Sequence, residues 1–266
     1  MTVYASLIKT RFIHGLQYRA AAIAGMTTQY AFGFMFISMH LAFYKANPSA
    51  YPMDISHVVA YVWIQQAFLT LYMTWFYEYD IFAAITTGQI AYDLTRPIDM
   101  YGKWYCQCIA SRLSKALLRS APILLFAFLL PPPYKLVAPE PGQLALFIMS
   151  AALASCVVIA FQMLVYISAF YIINAGGVRL MSAVLMDFMA GATIPLPFFP
   201  DRLRAVAEVL PFAAMQNAPL RIYSGNIYGV NAAKVILFQL FWLTALIIAG
   251  RLWMSKALRK VITQGG

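Results

Sequence analysis

Residues 144–173, LALFIMSAALASCVVIAFQMLVYISAFYII, form an apolar run without one charged side chain. An α-helix rises about 1.5 Å per residue and needs about 20 apolar residues to cross about 30 Å of hydrocarbon. The run exceeds that length, so it reads as a helix that crosses a membrane, tilted or extending beyond it. Strict alternation of polar and apolar residues over about 10 positions, the mark of a membrane β-barrel, is missing here and in the other apolar runs.

The rest of the chain agrees in composition. Of its 266 residues 62% are hydrophobic and 11% charged, and the mean hydropathy is +0.72. That excludes an ordinary water-soluble domain. Working outward, further spans are predicted at about residues 20–44, 58–76, 103–130, 180–198 and 232–249. The expected fold is therefore all-α and polytopic, one transmembrane domain with about six membrane-spanning helices. Before the first span, Val3, Tyr4, Leu7, Ile8, Phe12, Ile13 and Leu16 recur at helical spacing opposite Ser6, Lys9, Thr10, His14 and Gln17. Residues 2–18 thus read as an amphipathic helix lying in the interface. They lack the apolar core and cleavage site of a signal peptide, so they are expected to remain in the mature protein. Residues 200–225 mix Asp201, Arg202, Arg204 and Glu208 with prolines and aromatics and read as outer re-entrant or amphipathic helices.

The formal charge of +10 does not call for nucleic acid, because the basic residues lie in short loops between apolar runs. Thirteen of the nineteen Lys and Arg fall on the side of the N-terminal segment, the second-to-third connection, the fourth-to-fifth turn and the C-terminal tail. That side is expected to be cytoplasmic, with both termini. Lys103, Arg112, Lys115 and Arg119 are expected to sit at the cytoplasmic surface of the third span. Cys106, Cys108 and Cys156 have no zinc-like spacing, and His14, His40 and His57 are scattered, so no metal site is expected. Trp63, Trp75, Trp104 and Trp253 read as interface markers. No G-x-x-x-x-G-K-[ST] sequence is present to cradle nucleotide phosphates.

Residues 78–97 carry most of the functional information. They are too polar to cross lipid, they end at Pro97, and they retain Ile81, Phe82, Ile85, Ile90 and Leu94. A simple connector needs only a handful of residues. Apolar side chains rimmed by charge read as a docking surface for another protein, or as a face packed on the chain's own interfacial helix. In the spans, Gln66, Thr70 and Thr74 recur every four residues, with Gln65 beside them, as one polar stripe. The stripe either lines a path or makes interhelical hydrogen bonds. Asp187 is the one acidic residue well inside a span. It lines a polar path, binds a cation or couples protons; otherwise it pairs with Arg179 about two turns away or is neutral and hydrogen bonded.

Gly88, Tyr92, Leu94, Arg96 and Pro97 form the pattern G-x-x-x-Y-x-L-x-R-P, which is similar to that of a bacterial subgroup of ABC-2 type exporter permeases. The run from Gly191 through Thr193, Pro195 and Pro197 to Pro200, followed by Leu203 and Leu210-Pro211-Phe212, resembles the signature of the same family where the fifth span gives way to outer re-entrant helices. The resemblance covers nearly the whole chain. It implies that residues 78–97 hold a coupling helix seated in a cleft of a cytoplasmic ABC ATPase dimer, which would bind ATP and magnesium. It further implies a connecting helix at the N-terminus, a second permease unit, identical or homologous, and a path lined by the second and fifth spans. Within it, Glu78, Asp80, Ile81, Phe82, Gly88, Tyr92, Asp93, Arg96 and Pro97 are the expected coupling residues, with Arg96 pairing with ATPase acids or with Glu78. Gln66, Thr70, Thr74 and Asp187 are the expected path residues. The competing expectation is a secondary transporter that uses Asp187 as an ion or proton site.

Overall fold

The computed structural model describes residues 3–172 and 174–259, of which 78% are helical, with no strand among them. The ends of the predicted interfacial helix and fourth span, and Lys260 of the basic tail, lie outside the described residues. Three helices are each long and apolar enough to cross a membrane: α2 (Arg19–Ala46), α8 (Pro141–Ser168) and α12 (Gly229–Leu258). The other predicted spans correspond to α3 (Ile55–Ala67) with α4 (Leu69–Tyr72), to α7 (Met100–Leu129), and to α9 (Gly176–Met189).

α1 (Val3–Gly15) packs along α7. Tyr4, Leu7, Ile8, Phe12 and Leu16 turn toward that helix and are half-buried, while Val3 and Ile13 point away and are exposed. The inward face is narrower than the apolar pattern, as expected where lipid covers the remainder.

α3 is buried on every side from Val58 to Ala67. A helix apolar all round belongs at the centre of a bundle, and α3 is flanked by α2, α7 and α11 (Asn217–Tyr223). Close approach to α2 depends on Gly33, where an added Cβ would lie 2.7 Å from the Trp63 ring. Trp63 is fully buried and donates from Nε1 to the Tyr134 carbonyl at 2.7 Å. Trp104 is buried too, so two of the four tryptophans read as interface markers are core residues. Their polar N–H groups do not prevent this where a carbonyl is within reach.

Two predicted spans end sooner than their hydropathy implies. The second breaks at Phe68 and finishes at Tyr72, after which the chain is extended. The fifth stops at Met189 because Gly191 turns the chain at φ +76° and Pro195 and Pro197 cannot continue a helix. At 14 residues α9 is about 21 Å long, short of a full crossing. Beyond the end of α9, α10 (Asp201–Val209) is mostly exposed, whereas α11 is buried and wedged against α8 and α3. Gln239 of α12, fully buried, donates to the Ser150 and Ala214 carbonyls at 3.1 and 2.9 Å and joins α12 to α8.

Gly33→Ala should cost about 1–3 kcal/mol, the usual penalty of overpacking against a fixed ring. The control Gly142→Ala, whose new Cβ would meet nothing within 4 Å, should be neutral or slightly stabilising. Thermal unfolding of the two variants in detergent checks the contrast.

Candidate functional site

The polar segment after α4 folds as two short helices, α5 (Tyr79–Thr86) and α6 (Ile90–Leu94), joined at Gly88, whose φ of +75° suits glycine. It is seated chiefly by apolar burial. Ile81 and Phe82 are buried with Tyr77, Trp104 and Tyr166, the Phe82 and Tyr166 rings 4.9 Å apart. Burial also raises the Tyr77 hydroxyl well above its ordinary pKa, against the opposing pull of Arg112 and Arg179. The Glu78 backbone N–H donates to the Tyr166 hydroxyl at 2.6 Å.

Ion pairs tie the segment to two other helices. Asp80 meets Arg11 of α1 at 3.3 Å and Asp93 meets Lys103 of α7 at 2.5 Å, while Asp99, just past the segment at the N-cap of α7, meets Arg251 of α12 at 3.9 Å. Exposed pairs such as Asp80–Arg11 contribute about 0–1 kcal/mol each, so they orient the segment more than they hold it. Arg179, in the first turn of α9, places its guanidinium 5.0 Å from the Tyr79 ring and 5.9 Å from that of Phe82. These cation–π contacts connect the segment to the fifth span.

Several expected coupling residues are therefore not at the surface. Ile81 and Phe82 form core in this chain and cannot serve as docking surface without unfolding α5; the period of three to four that made them conspicuous is the period of an inward face. Asp80 and Asp93 are engaged in ion pairs. Arg96 is exposed and makes no ion pair with Glu78. What remains outward is Gly88, Tyr92, Leu94, Arg96 and Pro97, together with Tyr79 and Asp80, whose side chain stays exposed in its pair with Arg11; Tyr92 is 76% exposed.

Above the segment lies Arg112, 1% exposed rather than at the cytoplasmic surface. Its Nη1 donates to the carbonyls of Thr70 and Leu71 at 3.2 and 2.9 Å. Its Nη2 donates to those of Met73 and Phe76 at 2.8 and 3.4 Å and to Gln162 Oε1 at 2.7 Å. Gln162 Nε2 in turn donates to the Thr74 and Phe76 carbonyls at 2.9 and 3.0 Å. A helix that ends inside a bundle leaves carbonyls without partners, and the fork of a guanidinium can satisfy several at once. The partial negative charge at the α4 C-terminus and these dipoles answer the buried cation. Lys115 lies 3.2 Å from the centroid of the Phe76 ring.

The end of α9 is closed in the same manner. Tyr61 donates to the Gly191 carbonyl at 3.1 Å and Gln65 Nε2 to that of Ala192 at 2.6 Å. Asp187 accepts from Thr74 Oγ1 at 3.4 Å and Thr193 Oγ1 at 3.5 Å and does not reach Arg179. Thr74 also donates to the Ala183 carbonyl at 3.2 Å. The expected stripe is thus divided, because the helix breaks between Gln66 and Thr70 and ends before Thr74. Gln66 and Asp187 line a cavity of about 410 Å³ bounded also by Gln29, Phe32, Trp75 and Arg119, whereas Thr70 and Thr74 are buried outside its lining.

Arg112, Gln162, Arg119 and Arg179 escaped sequence reasoning as site residues. The visible signal was their polarity next to long apolar runs, but sequence does not say which carbonyls or rings each reaches. Among the described residues, no three His, Cys, Asp or Glu side chains gather as a metal ion requires.

Arg112→Met should destabilise the fold by about 3 kcal/mol or more, the scale for stripping partners from buried polar groups. Arg112→Lys should fail to restore it, since an ammonium cannot reproduce the fork, and Arg202→Met, at an exposed position, should change stability by about 0.5 kcal/mol or less. Thermal midpoints in detergent separate the three.

The family model described as ABC-2 family transporter protein matches residues 53–265, from just before α3 to beyond α12. No curated protein matches the chain. Members of this family are membrane transport components that are not themselves catalytic and that work with ATPase partners. With most of its length matched and its helices apolar, the chain belongs to the ABC-2 family of transporters as a membrane permease component.

Proposed function

We propose that this chain is one of two permease units, identical or homologous, of an ATP-driven exporter in a bacterial inner membrane, with both termini cytoplasmic. Two cytoplasmic ATPase subunits bind ATP and magnesium and drive the permease between inward- and outward-facing packings. The chain carries no phosphate-cradling loop of its own. The observation that carries the reading is the outward face of the 78–97 segment. Tyr92, Leu94, Arg96 and Pro97 stand free on a small unit whose underside is tied to α1, α7, α8 and α9. Force applied to that face reaches four helices through short, specific contacts.

Export direction is supported by the brevity of the connections on the side read as outer, where α10 is a short exposed helix rather than a large receptor module. The outward side of α9, with Leu180, Met181, Val184 and Leu185 exposed, supplies apolar surface for lipid and for the second unit. The alternative, a secondary transporter using Asp187 as an ion or proton site, draws on the half-buried position of that carboxylate beside the cavity. It predicts transport without any ATPase and loss of proton coupling in Asp187→Asn.

Purification in mild detergent should recover an ATPase subunit with the chain. Arg96→Glu and Tyr92→Ala should reduce that recovery about tenfold, about 1.4 kcal/mol of binding, without changing membrane insertion. Transport by the chain reconstituted alone would overturn the proposal.

A further inference from the structure

We propose that the cavity between α2, α3 and the end of α9 binds a zwitterionic amphiphile, a lipid of the phosphatidylethanolamine kind, with its amine at Asp187 and its phosphate at Arg119. The inference rests on the permease reading and names the class of molecule the permease would take.

The cavity, of about 410 Å³, is large enough for a headgroup and the start of an acyl chain. Its lining carries one acid and one base, Asp187 and Arg119. Neither has an ion-pair partner among the described residues. Asp187 receives only the hydroxyls of Thr74 and Thr193, at 3.4 and 3.5 Å. Arg119 donates from Nη2 to the Ala21 carbonyl at 3.2 Å, and its Nε has no partner. Charges partly withdrawn from water are costly unless matched. A purely cationic ligand would leave Arg119 unmatched, and a purely anionic one would leave Asp187 unmatched. One molecule carrying both signs answers both.

The remainder of the lining fits the rest of such a molecule. Gln66 lines the same cavity and offers its amide group to ester and phosphate oxygens. Phe32, Phe36, Leu69 and Trp75 form an apolar wall. Phe32 and Trp75 are about half exposed, so the wall continues onto the outer surface of the bundle, where acyl chains lie.

The test is isothermal titration of the purified full chain in maltoside detergent with soluble short-chain probes. Dihexanoyl phosphatidylethanolamine should bind at least about tenfold more tightly than dihexanoyl phosphatidylglycerol or a dihexanoyl trimethylammonium lipid. Glycerophosphoethanolamine, which has the same headgroup without chains, should bind more weakly than the first probe. Asp187→Asn should remove the preference over phosphatidylglycerol, Arg119→Gln should remove the preference over the cationic lipid, and Arg119→Lys should retain it. Elution as a single species in size-exclusion chromatography shows that each variant is folded. Equal binding of all three lipids, tightest binding of a singly charged one, or a preference indifferent to both substitutions would overturn the assignment. An ATPase recovered with the chain alongside any of those results would sink the ligand class alone, whereas ligand preference without an ATPase would sink the exporter reading alone.

Discussion

The structure turns on the side chain of Arg112. It lies where the second crossing stops short, and its guanidinium accepts responsibility for carbonyls that a continuous helix would have bonded internally. In a medium without water each such carbonyl must find a donor, and only protein can supply it. Gln162, from the uncharged heart of α8, completes the set. α4, α7 and α8 are thereby fixed to one another at the point from which the 78–97 segment emerges.

That arrangement explains why the segment is a rigid unit rather than a loose connection. Its apolar face is packed on Trp104 and on Tyr166, one helical turn from Gln162 of the Arg112 network, and its acids reach α1 and α7. A second helix end, that of α9, is closed by Tyr61 and Gln65 of α3. The two breaks flank the cavity lined by Asp187 and Arg119.

The crossings were legible in the sequence because hydropathy sums over many residues and is insensitive to local error. The runs now seen as α2, α8 and α12 needed nothing more. The pause at Phe68 was not legible, since no glycine or proline marks it and its cause lies in Arg112, far along the chain. For the same reason Arg112, read as a snorkelling surface cation, proved to be the best-buried charge in the bundle. Ile81 and Phe82 show the opposite case. Their spacing correctly announced an amphipathic helix, but spacing cannot say whether the apolar face meets a partner or the chain's own core. Asp187 was conspicuous by its depth, yet its hydroxyl partners come from Thr74 and Thr193 on either side of two chain breaks, which no helical wheel aligns.

The most direct measurement is the sidedness of the segment's exposed edge. A single cysteine at Tyr92→Cys, in a chain freed of Cys106, Cys108 and Cys156, would be treated with a membrane-impermeant maleimide in intact cells and in inverted vesicles. Labelling is expected in inverted vesicles alone, with protection when the ATPase is present. Labelling from outside intact cells would contradict a cytoplasmic placement.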